Sequence, residues 1–81
     1  MNSLVGKYFL HYKGKYYYVL NISIHTESNE KLVNYINLYG HINCSSRPIT
    51  MWNESVNDKL RFTEIIPTNE LIKIVNDYNR M

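Results

Sequence analysis

Residues 16–39 read YYYVLNISIHTESNEKLVNYINLY, and this stretch decides the fold. Apolar and polar residues alternate through 16–25 and again through 31–39, and many of the apolar ones are β-branched or aromatic. A period of two in such residues is typical of β-strands. Residues 26–30 are polar and predict the turn between the two strands.

The alternation also assigns each side chain to a face of its strand. The first strand is expected to carry on one face Tyr16, Tyr18, Leu20, Ile22 and Ile24, and on the other Tyr17, Val19, Asn21, Ser23 and His25. The second is expected to carry on one face Val33, Tyr35, Asn37 and Tyr39, and on the other Leu32, Asn34, Ile36 and Leu38. Apolar groups on both faces are expected in a small barrel or at an interface.

Further strands are predicted on either side. Residues 7–12 favour a strand, and Gly14 follows in a turn because glycine takes a positive φ at little cost. Residues 40–46 favour a loop. Pro48 has no N–H to donate, which places it at a strand start or on an edge strand.

The rest of the chain completes about five strands and adds a helix. Residues 49–52 predict a short strand, 53–59 a turn and 60–66 the last strand, so 1–66 form one mainly β domain. Residues 67–81 predict a helix that packs on this domain or on a second subunit. Thr68 or Asn69 is its expected cap, and its apolar stripe consists of Leu71, Ile74, Val75 and Tyr78.

Composition narrows the class of protein. The chain has 81 residues, 44% of them hydrophobic, so we expect one folded domain with a small core, which a homo-oligomer would enlarge. A net charge of +2 is too weak to favour nucleic acid. The lone Cys44 is compatible with a reducing cytoplasm. Neither a membrane span nor, from Met1–Val5, a signal peptide is expected.

Six residues make a candidate ligand site, namely Arg47, Tyr35, Tyr39, His25, Glu27 and Trp52. Tyrosine and tryptophan combine an apolar body with a polar tip that suits stacking. Arg47 offers a planar fork for phosphate or carboxylate and precedes a stiff proline, whereas Arg61, on a strand, is expected to matter little. Simpler roles stay open: Arg47 paired with Glu27 or Glu64, a capped turn at His25–Glu27, and Trp52 in the core.

No catalytic or metal-binding pattern stands out. The histidines His11, His25 and His41 lack metal-ligand spacing, and the three glycines are too isolated for a phosphate loop. Cys44 among serines is more simply a loop residue than a nucleophile. We therefore expect no enzyme activity, no cofactor and no metal.

The chain resembles a known family. The segments that carry the resemblance are Gly6-x-Tyr8-x-x-His11-Tyr12-Lys13-Gly14, Tyr18-Val19-Leu20, His25-Thr26-Glu27, Leu32-Val33-x-Tyr35-x-x-Leu38-Tyr39-Gly40 and Arg47-Pro48-x-x-Met51-Trp52. Their order over residues 5–66 is similar to the bacterial and phage domain-of-unknown-function family 1653. Two positions depart: Cys44-Ser45-Ser46 stands where the family often has Trp, and Trp52 replaces its usual Phe. The resemblance implies a small SH3-like β-barrel and no activity.

Two classes of function follow as expectations. The first is a non-enzymatic binder of a small anionic aromatic ligand such as a nucleotide. The absence of Ala and Gln beside abundant Asn, Ile, Tyr and Lys fits an AT-rich bacterium or its phage equally, and a phage protein of this kind would sequester a host immune signalling nucleotide in the host cytoplasm. The second class is an SH3-like adaptor for protein or nucleic acid, which clustered Lys7, Lys13 and Lys15 would favour.

Overall fold

The computed structural model describes residues 4–80, so residues 1–3 and 81, at the ends of the predicted 1–66 and 67–81 segments, lie outside the described residues. The elements along residues 4–80 are β1 Tyr8–His11, β2 Tyr16–Ile24, β3 Lys31–Asn37, β4 Cys44–Pro48, α1 Ile49–Trp52, β5 Ser55–Val56, β6 Lys59–Leu60, β7 Phe62–Ile65 and α2 Asn69–Asn79. None of the helices in this part of the chain has the length and apolar character needed to cross a membrane.

One antiparallel sheet organises the domain. Its five strands lie in the order β4-β3-β2-β1-β7, and β5 pairs with β6 in a separate hairpin. The mainly β class and the C-terminal helix are confirmed. The two outer strands, β4 and β7, are not hydrogen-bonded to each other, so closure of the sheet into an SH3-like barrel is not confirmed.

A β-bulge at Leu20 divides β2 into two halves. Val19 pairs with Tyr35 and Asn21 with Asn34, which leaves Leu20 without a partner across the strand pair. Beyond an extra residue the side chains change faces. Ile22 therefore lies with Val19 on one face, and the predicted strict alternation was wrong past Leu20.

The bulge also brings a polar ladder together on the face of the sheet that carries Ile36. The Asn34 amide donates to Asn21 Oδ1 at 2.6 Å and to Ser23 Oγ at 3.0 Å. Ser46 Oγ donates to Asn34 Oδ1 at 2.6 Å. The end of this face near the β2–β3 turn is therefore polar and hydrogen-bonded rather than part of the core.

The opposite face, which we call the Trp52 face, carries most of the core. Its buried side chains are Phe9, Val19, Val33, Tyr35, Trp52 and Phe62. Trp52 is 2% exposed and stacks on Phe62, with ring centroids 3.7 Å apart and planes inclined by 4°. Trp52 is therefore a core residue, which was the simpler of the two roles considered for it.

Helix α2 covers the second face, which we call the helix face. Thr68 Oγ1 accepts a hydrogen bond from the Leu71 amide at 3.3 Å and so caps the helix, as expected. Leu71 and Val75 are buried against Ile36 and Leu38 from the sheet.

Three local predictions at and after β4 were wrong. Residues 44–46, predicted as the end of a loop, begin strand β4. Ile49–Trp52 is a single helical turn, not a strand. The β-branched Ile49 and Thr50 favour a strand locally, but a turn after the edge strand carries Trp52 back over the sheet, and its burial prevails. The predicted turn 53–59 contains a short hairpin instead, in which β5 pairs with β6. Asn57 and Asp58, between the two strands, take φ of 52° and 66°, which suits a tight hairpin turn.

Candidate functional site

Aromatic rings gather at one end of the Trp52 face. Tyr17 lies at their centre, with its ring centroid 5.5 Å from Tyr35, 5.9 Å from Tyr39 and 5.6 Å from Phe62. Trp52 adjoins Tyr35 at 5.0 Å. We call these five residues the aromatic cluster. Most of its pairs meet edge to face, the geometry that aromatic quadrupoles favour.

The hydroxyl groups of Tyr17 and Tyr39 lie 3.0 Å apart and share a hydrogen bond. Burial raises the pKa of Tyr17, and the bond to Tyr39 raises it further. Tyr17 therefore stays a neutral phenol at physiological pH. The pair ties β2 to the loop after β3 and holds the partly exposed Tyr39 ring in place.

Asn37, at the end of β3, organises that loop. Its amide donates to the carbonyl oxygens of Tyr39 at 2.8 Å and His41 at 2.7 Å, and its Oδ1 accepts from the Asn43 amide at 2.9 Å. One side chain thus replaces the partners that the turning backbone loses. The conformation of the loop is therefore organised around the Asn37 side chain.

An open groove of about 340 Å³ runs between this loop and the sheet. One side of it is aromatic and consists of Tyr17, Tyr35 and Tyr39. The other side is polar and consists of Asn37, Gly40, His41, Asn43 and Ser45. We call it the polar groove. A planar ring with polar edges matches such a lining.

We expect Asn37→Ala to loosen the polar groove. The substitution leaves two carbonyls and one amide without their partner, and each such loss costs about 1–3 kcal/mol where the group is buried and less where water replaces it. Amide hydrogen exchange of residues 39–43 should quicken by tenfold or more while β1 stays protected. Ser45→Ala, also in the groove, is the control. Equal exchange in the two variants would contradict the role given to Asn37.

Arg47 points across the Trp52 face toward the aromatic cluster. It pairs with Val33 across the sheet, and its guanidinium carbon lies 5.7 Å from the Phe62 ring centroid, within cation–π range. Its Nε is buried with no hydrogen-bond partner. No ion pair to this guanidinium is found within residues 4–80. Arg47 is therefore a half-buried cation without a counter-charge.

More cations border the same end of the sheet. Lys15 Nζ lies 4.9 Å from the Tyr39 ring centroid. Arg61 pairs with Glu54 at 2.5 Å, and Lys13 lies over the Tyr12 ring at 5.8 Å. We call Lys13, Lys15, Arg47 and Arg61 the cationic rim. Its field favours an anion beside the aromatic cluster.

The charges of the cationic rim affect the pKa of His11. Burial lowers its pKa below the usual 6.5, and the charges of Arg61, Arg47 and Lys13 lower it further. The neutral ring accepts a hydrogen bond from the Lys13 amide at Nδ1, at 3.2 Å. It also packs on Phe62, with ring centroids 5.0 Å apart.

We expect a pH dependence of stability from His11. A histidine whose pKa is lower in the folded chain than in the unfolded chain opposes folding once it is charged, so stability is full above about pH 6.5 and declines as the pH falls through the folded pKa. The melting temperature should drop between pH 7.5 and pH 5. His11→Asn, which keeps an acceptor for Lys13, should flatten that drop. Parallel curves for the two proteins would contradict the assignment.

Residues 7–64 match a family model described as protein of unknown function, DUF1653. The chain belongs to this family. The match confirms the resemblance, and it ends before α2, which lies outside the family segment. No curated protein matches the chain.

A solved structure supports the same assignment. The crystal structure of a DUF1653 protein from Bordetella bronchiseptica is similar to this chain with a TM-score of 0.67 and 29% sequence identity. The similarity covers 78% of this chain and 92% of that one.

The structure brings only part of the predicted ligand site together. Tyr35, Tyr39 and Trp52 share the aromatic cluster, and Arg47 points toward it. His25 and Glu27 lie at the β2–β3 turn, at the opposite end of β3 from Tyr39. Seven residues of strand separate the two ends by about 20 Å, so these two cannot join the other four around one small ligand.

The structure also decides between the simpler roles that the sequence left open for the charged residues. His25 Nδ1 accepts from the Glu27 amide at 3.3 Å, so the turn is capped by the histidine and not by the Glu27 carboxylate. Glu64 pairs with Lys7 at 3.5 Å, and neither Glu64 nor Glu27 pairs with Arg47 among the described residues. Lys7 precedes β1 whereas Lys13 and Lys15 follow it, so Lys7 lies at the other end of this strand from them.

Several residues of the aromatic cluster and the cationic rim were not predicted as site residues from the sequence. Tyr17 and Phe62 were placed only as strand residues, and Arg61 was expected to matter little, although its charge acts on His11. The alternation of β2 does put Tyr17 on one face with Val19, which was a usable signal. Nothing in the sequence pattern points to Asn37, whose role depends on a loop that folds back. Within residues 4–80 no three His, Cys, Asp or Glu side chains are grouped to hold a metal ion.

Proposed function

We propose that this DUF1653 chain is a non-enzymatic binding protein for a small anionic aromatic ligand such as a nucleotide. The observation that carries the proposal is Arg47, a half-buried guanidinium without a counter-charge beside the aromatic cluster. Keeping a cation away from water without a partner costs free energy. A bound anion would offset that cost.

The neighbouring groups fit the two parts of such a ligand. A planar ring would lie in the polar groove against Tyr17, Tyr35 and Tyr39, where stacking contributes about 1–3 kcal/mol per base. The anionic group would lie at Arg47 and Lys15, with a charge-assisted hydrogen bond to the guanidinium. Neutral His11 adds no positive charge of its own but leaves Nε2–H as a donor, because Nδ1 is taken by Lys13.

Binding alone would be sufficient for the use expected above. A protein that removes a signalling nucleotide from solution needs affinity and a slow release, and it needs no acid, base or nucleophile. Sequestration by a phage protein in its host is therefore the biological role that we propose for such a site.

A thermal-shift screen tests the proposal. The panel holds mononucleotides, cyclic nucleotides, ADP-ribose derivatives and short oligonucleotides, followed by mass spectrometry of anything that co-purifies. A ligand that binds only the folded chain stabilises it by about 2.7 kcal/mol at a hundredfold excess over its dissociation constant. A mononucleotide or cyclic nucleotide should raise the melting temperature. No shift with any of them would overturn the proposal.

Single-stranded nucleic acid is the second candidate. The polar groove is open, and a rim of Lys13, Lys15, Arg47 and Arg61 suits a track of phosphates as well as a single one. The same screen separates the two. If oligonucleotides shift the melt and mononucleotides do not, the adaptor function replaces the first proposal.

The expected homo-oligomer stays a prediction. Leu60, in β6, is 53% exposed, and Ile66, directly after the outer strand β7, is 94% exposed. We expect sedimentation at micromolar concentration to give at least a dimer, and Ile66→Lys to shift it toward the 9.7 kDa monomer. A wild-type monomer would show that these side chains simply face water.

A further inference from the structure

Buried hydrogen-bond donors without a partner gather around Phe62. Within residues 4–80 the buried side-chain polar atoms that lack a partner are Arg47 Nε, Trp52 Nε1 and Arg61 Nε. The Phe62 ring stacks on Trp52 and lies 5.7 Å from the guanidinium carbon of Arg47, and Arg61 directly precedes Phe62 in the chain. All three atoms are N–H groups. This region therefore has more donors than acceptors, an imbalance that suits an anion.

Two of the three donors belong to side chains that reach the surface. Trp52 is 2% exposed and lies too deep to touch a ligand. The Arg61 side chain is 19% exposed, and Arg47 is half-buried. A guanidinium that is shielded from water at Nε and open at its other end attracts an anion more strongly than a fully hydrated one, because the local dielectric is lower.

Both arginines lie near His11. The His11 ring is 5.0 Å from the Phe62 ring. Burial lowers the pKa of His11, and the charges of Arg61 and Arg47 lower it further. Such an effect weakens with distance, so both cations are close to this ring. An anion that binds beside His11 would be attracted by the two guanidinium groups together.

Arg61 is held in place by its backbone as well as by Glu54. The Arg61 amide donates to the Glu54 carbonyl oxygen at 2.9 Å, and the Arg61 carbonyl oxygen accepts from the Tyr12 amide at 2.9 Å. The Arg61 guanidinium also pairs with the Glu54 carboxylate at 2.5 Å. The Glu54 side chain is 47% exposed, so this ion pair is weak and the carboxylate can return to water at little cost. A stronger anion can replace it while the backbone keeps Arg61 in position.

We propose that Arg61 is the second arginine of the anion site, and that a terminal phosphate of the ligand binds Arg47 and Arg61 together and displaces the Glu54 carboxylate. The inference rests on the proposed function and specifies its ligand, whose base stays in the polar groove. A terminal phosphate carries a charge of about −1.5 to −2 at pH 7 and three free oxygens, which can accept from two guanidinium forks. The phosphodiester of a cyclic nucleotide has a single charge and two free oxygens, which Arg47 alone can satisfy.

Calorimetric titration tests the inference with AMP, GMP, CMP and UMP, each compared with the 3′,5′-cyclic nucleotide of the same base. Wild-type protein should bind the best of the four roughly tenfold more tightly than its cyclic counterpart, the effect of one more charge-assisted hydrogen bond. In Arg61→Gln, which loses the guanidinium, this preference should fall to within about twofold. The loss should come from weaker binding of the 5′-monophosphate, with the affinity for the cyclic nucleotide unchanged.

Glu54→Gln is the second variant, and it leaves both arginines in place. Glutamine keeps an amide oxygen for Arg61 but removes the competing charge, so the affinity for the 5′-monophosphate should rise by roughly two- to fivefold. Glu64→Gln is the matched control, because it removes the same charge from β7, where Glu64 pairs with Lys7 at 3.5 Å before the start of β1. It should change the affinity by less than about twofold.

The outcomes separate this inference from the proposed function. Equal affinity of wild-type protein for the two forms of each base, or equal effects of Glu54→Gln and Glu64→Gln, would overturn the inference and leave the proposed function standing. Binding restricted to cyclic nucleotides or ADP-ribose, which have no terminal phosphate, would do the same. If no nucleotide binds, both fail. If Arg61→Gln does not fold, the comparison of Glu54→Gln with Glu64→Gln decides.

Discussion

Arg47→Ala should raise the dissociation constant for the nucleotide that binds best by roughly tenfold to a hundredfold. A charge-assisted hydrogen bond contributes about 1.5–3 kcal/mol, and no ion pair of this guanidinium is found in the described chain. Its cation–π contact with Phe62, at 5.7 Å, holds it beside the aromatic cluster in advance of binding. Isothermal titration calorimetry at constant ionic strength measures the effect.

Arg47→Lys should recover only part of the affinity. Lysine restores the charge, but its compact ammonium group cannot make two parallel hydrogen bonds to a phosphate. Lys31→Ala is the matched control, because it removes one positive charge from the exposed start of β3, at the far end of the sheet from Tyr39. It should change the affinity by less than about twofold, the size of a screened long-range effect.

The competing role for Arg47 is structural, and it has a distinct signature. If Arg47 serves only to cover Phe62, Arg47→Ala will lower the melting temperature of the ligand-free protein. Its affinity, measured well below that temperature, will then equal that of wild type. That pair of results would remove Arg47 from the site.

Deleting residues 68–81 should unfold the domain. The deletion removes the buried Leu71 and Val75, and burial of each such side chain contributes about 1.5–3 kcal/mol. It also exposes Ile36 and Leu38 on the helix face. A chain of this length has a total stability of only about 4–12 kcal/mol, so the loss is comparable with the whole.

Proton–nitrogen NMR spectra and urea unfolding check this expectation. The truncated chain should show collapsed amide dispersion or no cooperative transition. Leu71→Ala keeps the helix and should cost about 2–5 kcal/mol, whereas Lys73→Ala, exposed on the same helix, should cost less than about 0.5 kcal/mol. A truncated chain that melts like wild type would show α2 to be an appendage.

The sequence predicted the elements of the fold better than their register. The first three strands and α2 follow from local periodicity and capping, and the structure has their ends within one or two residues of the prediction. The prediction of a strand at Ile49–Trp52 was wrong because the burial of Trp52 depends on residues distant in sequence, Phe9 and Phe62. The bulge at Leu20 has no local marker such as glycine, so its effect on Ile22 was not foreseeable.

The site was predictable only where one strand carries it. Tyr35, in β3, and Tyr39, two residues after it, both contact Tyr17, and Arg47, opposite Val33, reaches the same face because β4 pairs with β3. His25 and Glu27 were grouped with them by their place in the sequence, yet a hairpin puts its turn and its open end far apart. Phe62 and Arg61 reach the site through β7 pairing with β1, a contact between the two ends of the domain.

The stacking of Trp52 on Phe62 has a practical consequence for optical spectroscopy. Trp52 is the only tryptophan of the chain, so its fluorescence reports one environment. A buried indole emits at shorter wavelength than one in water, and unfolding should shift the emission to the red. Tyr35 lines the polar groove and packs against the indole, with ring centroids 5.0 Å apart. A nucleotide that binds in the polar groove should change the emission intensity of Trp52. Binding can therefore be followed by intrinsic fluorescence, without a label.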